Sequence, residues 1–108
     1  MNTSICSLAL GVLLSAVPAI AEDDVARGYA LAGDKGCLDC HAMSYTYVGP
    51  SFGALAQRYR LDPEARAQLP DIIRAGSRGH WGERFAMRPQ IQLSDEQVQL
   101  LIDWMLSQ

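Results

Sequence analysis

The run Cys37-Leu38-Asp39-Cys40-His41 constrains this chain more than any other stretch. Two residues between the cysteines make a tight turn that projects both sulfurs the same way, and a histidine follows at once. The chain has 108 residues, enough for one domain, and 49% of them are apolar. A domain of this size buries little apolar surface and commonly draws on a disulfide, a metal or a cofactor as extra core. Cys37 and Cys40 are where such help must come from, because the remaining cysteine, Cys6, lies in a segment of a different kind.

That segment, residues 1–21, carries no charged side chain, is apolar from Ile5 onward and ends in Ala19-Ile20-Ala21. It reads as a secretory signal peptide, cleaved after Ala21 and taking Cys6 with it. A membrane span needs about 20 apolar residues, and this run is shorter and broken by Gly11 and Pro18. The expectation is therefore a periplasmic mature chain, residues 22–108, with no membrane insertion. Its formal charge of −3 has no basic run to offset it, which argues against a nucleic-acid partner.

Residues 22–108 show the periodicity of helices joined by Gly/Pro loops. Acids open a first helix with Val25, Tyr29 and Ala32 on one face, stopping near Gly33 or Gly36. Ser51 caps a second, with Phe52, Leu55, Ala56 and Tyr59 at helical spacing. Asp62 and Pro63 start a third, where Pro70 predicts either one turn and then a short helix, or a single kinked helix, ending at Gly76. Residues 77–93 have no clean period and read as a long ordered loop. Ser94 and Gln97 form a capping box ahead of Val98, Leu101, Ile102 and Met105. No stretch alternates convincingly at period two, so the fold class is all-α.

Three chemistries use C-x-x-C followed by His. A structural zinc needs four protein ligands, and only His80 could join Cys37, Cys40 and His41. A redox dithiol wants a βαβ surround, which the helical periods deny. Covalent haem attachment uses the motif as it stands. The two thiols meet the two vinyl groups of one porphyrin edge, and the histidine lies beneath the ring to bind iron. The haem also supplies the apolar mass the core lacks.

Haem with histidine on one side needs a decision on the other: a protein ligand favours electron transfer, an open position favours gas binding or catalysis. The candidates are Met43, Met87, Met105 and His80. Met43 follows His41 too closely to reach the opposite face, and Met105 falls on an apolar stripe. Met87 lies in the irregular loop near Pro89, where a methionine that merely fills a gap in the core is also a common finding.

The chain resembles class I c-type cytochromes, in particular the short monohaem carriers of the bacterial periplasm. The resemblance covers residues 22–108 and rests on five segments in order: "GCLDCH" after a helix bearing Gly28 and Tyr29, then "VGPSF", "GSRGHWG", "MRP" and "DWMLSQ". It implies a class I cytochrome c fold, three to five short helices around one haem c bound through Cys37 and Cys40. The N- and C-terminal helices pack together, with Gly28, Tyr29 and Trp104 at the contact. It further implies His41 and Met87 as axial ligands, the Pro50 carbonyl orienting His41, and the Trp81 indole reaching a haem propionate.

The function implied is electron transfer between redox protein partners, by a monomer in transient complexes, with no substrate turned over. The alternative is a haem c subunit of a multi-subunit periplasmic oxidoreductase. Two departures from the pattern stand out: Arg88 where relatives often have proline, and Ile72 where close relatives can carry an arginine facing a propionate.

Overall fold

A computed structural model describes residues 11–14 and 20–108. The leader read over residues 1–21, Cys6 included, lies for the most part outside the described residues. Among the described residues four α-helices form, α1 (Glu22–Asp34), α2 (Phe52–Tyr59), α3 (Pro63–Ala75) and α4 (Asp95–Leu106). A single 3₁₀ turn, Cys37–Asp39, follows α1, and a ribbon of β1 (Ser77–Gly79) and β2 (Gly82–Met87) separates α3 from α4. Among the described residues no helix is long and apolar enough to cross a membrane.

The fold closes where α1 meets α4. Gly28 is buried against Trp104, and a Cβ at position 28 would sit 2.2 Å from that tryptophan's own Cβ. Only glycine lets the two helices approach this closely. The Tyr29 ring flanks the contact, its centroid 6.1 Å from the indole. Trp104, only 1% exposed, also meets Phe52 of α2 edge-on at 4.6 Å, so one side chain joins three helices. Such packing gains about 1 kcal/mol beyond the area it buries.

Capping sets the helix starts. Ser51 Oγ accepts from Ala54 N at 3.0 Å, and Asp62 accepts from Ala65 N at 3.0 Å with Pro63 in the first helical position. Ser94 and Gln97 exchange both bonds of the capping box expected for α4. Helix α3 continues through Pro70 as one element. A proline there removes a backbone bond and costs about 3 kcal/mol. Leu69, 3% exposed, and the half-buried Ile72 and Ile73 on either side pack on the core and hold the helix together.

The segment read as a loop contains the ribbon. Ser77 pairs with Met87, Arg78 with Ala86 and Gly79 with Gly82, antiparallel, with an irregularity after Arg78. Gly79 and Gly82 take φ of 82° and 101° on either side of the turn, values that L side chains rarely adopt. The helical class stands, with this ribbon added. With so few ladder pairs, no long alternation marks it in the sequence.

Candidate functional site

The proximal half is built from one turn and one returning loop. Gly36, at φ 79°, ends α1 and starts the turn. The Cys37 carbonyl accepts from both Cys40 N (3.2 Å) and His41 N (2.9 Å). Residues i and i+3 of a 3₁₀ turn eclipse, which brings Cys37 and Cys40 to one side. Both are free thiols and half-buried. Burial holds the Cys37 thiol above its ordinary value; Asp39 and Cys40 push the same way, against a backbone hydrogen bond. It therefore stays protonated at neutral pH.

The loop after His41 folds straight back. Gly49 N bonds Cys40 O at 2.8 Å, Phe52 N bonds Ala42 O at 2.9 Å and Gly53 N bonds Met43 O at 3.0 Å. This return brings the Pro50 carbonyl to 2.6 Å from His41 Nδ1. A carbonyl only accepts, so Nδ1 is the donor, and of the two tautomers of a neutral ring this bond selects the one with its lone pair on Nε2. Gly49 backs the ring: a Cβ there would lie 2.7 Å from His41 Cε1. Phe52 flanks it, with ring centroids 5.4 Å apart. The sequence reading named Pro50 and passed over Gly49, although "VGP" contains both.

The other half lies on the ribbon and the stretch leading from it to α4. Met87 ends β2, half-buried, with Ser77 across the ladder. Gly76 crosses behind it at φ 77°, where a Cβ would come within 2.5 Å of Met87 O and 2.9 Å of Pro89 N. Gln90 N bonds Ile73 O at 3.0 Å, and Arg74 donates to Leu93 O at 3.0 Å while pairing with Asp95. The end of α3 thus grips the chain from Met87 onward. Gly76 was legible only as the end of α3 and Arg74 not at all, since both act across the fold.

Trp81 sits in the ribbon turn, half-buried, its ring 6.3 Å from Tyr59 and covered by the Arg58 guanidinium at 4.6 Å. Arg58 also donates to the carbonyl of His80, whose side chain is exposed. Met43 is 38% exposed on the returning loop, and Met105 is in the core. Among the described residues no three His, Cys, Asp or Glu side chains gather as a metal-binding group.

The helices around a C-x-x-C-H turn, closed by the α1–α4 contact, define a c-type cytochrome, and the comparisons agree. The chain belongs to the cytochrome c family, whose model matches residues 25–108. It is 39% identical over 101 residues to cytochrome c-551 of Pseudomonas aeruginosa, covering 94% of this chain and 90% of that one. Cytochrome c-552 of Nitrosomonas europaea is 34% identical over 85 residues, 74% of this chain and 82% of its own. The crystal structure of the wild-type Nitrosomonas cytochrome c552 superposes with a TM-score of 0.68 at 33% identity, over 73% of this chain and 96% of that one. The class 1 cytochrome MtoD of Sideroxydans lithotrophicus superposes at 0.61, with 26% identity, over 82% and 97%.

The family carries haem c covalently, and this chain is a monohaem electron carrier like its c-551 and c-552 relatives. The site fits that group on its own chemistry. Two half-buried cysteines share one turn, and a histidine held at Nδ1 by a carbonyl and backed by a glycine turns its Nε2 away from that bond.

Proposed function

We propose that His41 Nε2 and Met87 Sδ are the two axial ligands of one haem attached through Cys37 and Cys40, in a carrier that works in the periplasm. The observation that carries this reading is the 2.6 Å bond between His41 Nδ1 and the Pro50 carbonyl. That bond fixes the tautomer a ligand needs and makes the imidazole a stronger donor.

The haem, when bound, supplies an iron that cycles between ferric and ferrous. Each side chain has a separate task. Cys37 and Cys40 would hold the haem covalently, each thiol adding across one vinyl group to give a thioether. Gly49 and Phe52 hold the His41 ring in one orientation. Met87 offers a thioether, a soft and neutral donor that favours the ferrous state and raises the potential. Trp81, packed by Arg58 and Tyr59, directs its indole N–H to a propionate.

Periplasmic placement is supported by the leader pattern of residues 1–21 and by the bacterial origin of the relatives. Docking with redox proteins is weak and brief, as small electron-transfer contacts are.

Replacing Met87 with alanine tests the ligand assignment. The oxidised variant should lose the sulfur-to-iron charge-transfer band and bind added imidazole, with both thioethers intact. A band that persists in Met87→Ala means that another sulfur binds the iron.

A further inference from the structure

We propose that the outer face of the β1–β2 ribbon is a docking surface for the carboxylates of an acidic redox partner. The proposal rests on the electron-carrier reading and adds the chemistry of the partner. Arg78 pairs with Ala86 across the ribbon, and Arg84 lies two residues before Ala86 on the same strand. The ladder breaks between Arg78 and Gly79, but burial alternates along residues 84–87: Arg84 and Ala86 are exposed, Phe85 and Met87 half-buried. Arg84 and Ala86 therefore share the outward face with Arg78, which is also exposed, and the exposed Arg88 follows Met87 directly. The ribbon's one carboxylate, Glu83, is exposed in the irregular stretch beside Arg84, so the face carries two arginines against one acid.

Among the described residues these three differ from the other arginines in having no hydrogen-bonded or ion-paired partner for their side chains. Arg27, Arg66 and Arg74 are each paired with an aspartate, and Arg58 and Arg60 donate to backbone carbonyls. Arg78, Arg84 and Arg88 form no ion pair among the described residues. The acids gather elsewhere, in the first turns of α1 (Glu22, Asp23, Asp24) and α4 (Asp95, Glu96). Screening acts over about 8 Å at physiological salt, so an approaching anion feels the ribbon rather than the net charge of −3. A partner seated there lies one strand away from Met87.

The test uses the intact holoprotein and hexacyanoferrate(III), an anionic oxidant that takes one electron from the ferrous haem and becomes hexacyanoferrate(II). The bimolecular rate should fall about threefold or more as ionic strength rises from low to physiological, as attraction requires. Arg84→Glu should cut the low-salt rate about three- to tenfold and flatten that slope. Arg27→Glu makes the same change of charge on α1 and should alter the rate less than about twofold.

Hexacyanocobaltate(III), which is redox-inert, should shift the amide resonances of Arg78, Arg84 and Ala86 before any others. A wild-type rate that rises with salt, equal effects from the two variants, or first shifts on another surface would overturn the proposal. So would a low-salt dimer in sedimentation that Arg84→Glu abolishes, since the occupant is then a second copy of the chain. The charge-transfer band recorded on the same samples is a separate readout: its absence defeats Met87 as ligand and leaves the salt slope to judge the docking face.

Discussion

The two halves of the site are held in opposite ways. Around His41 every restraint is local: the 3₁₀ turn, the return of Gly49 to Cys40 and the Pro50 carbonyl all fall between Gly36 and Gly53. Around Met87 the restraints come from far along the chain, from Ile73, Arg74 and Gly76 at the end of α3 and, through the ribbon turn, from Arg58 of α2. A locally closed half forms wherever its residues stand together. A half gripped from a distance is only as firm as the packing of the helix that grips it.

Three substitutions sharpen this contrast. Gly76→Ala should have the largest effect, because the residue combines a φ of 77° with a Cβ position 2.5 Å from Met87 O. Strain and overpacking together amount to about 3 kcal/mol. Denaturant titration of the holoprotein should show that loss, and the charge-transfer band should weaken while the histidine-side resonances keep their positions. If both sides changed together, the halves would not be independent.

Gly49→Ala should come next, at about 1–2 kcal/mol, since its backbone is ordinary and only the 2.7 Å approach to His41 must be relieved. Here the order reverses: NMR should report a displaced His41 ring and a weakened Nδ1 hydrogen bond, with the sulfur band unchanged. Arg74→Met should be mildest, about 1 kcal/mol for the bond to Leu93 O. The pairing with Asp95, which is 99% exposed, adds little. Amide exchange should quicken at Gln90 and leave Gly49 as it was.

The same contrast explains what could be read in advance. The attachment motif and the capping box of α4 were legible because each is a short pattern at fixed spacing, whereas the glycine under Trp104 was read by resemblance. Pro50 was legible only by resemblance, and Gly49 beside it was missed because a residue without a side chain leaves no chemical trace until something is found packed against it. The ribbon escaped because Gly79 and Gly82 set it by backbone angle, and its short alternation, Arg84-Phe85-Ala86-Met87, is too brief to stand out. Pro70 argued for a break that Leu69, Ile72 and Ile73 outweigh by packing.

The fit of Trp104 over Gly28 also has a meaning in time. Whenever the chain emerges N-terminus first, from a ribosome or through a membrane, Cys37, Cys40 and His41 appear long before the tryptophan that completes the core. Local folding can then form the C-x-x-C-H turn while α1 still lacks its partner. In that interval the thiols are more open than in the closed fold, where Cys37 packs against the core that α4 completes.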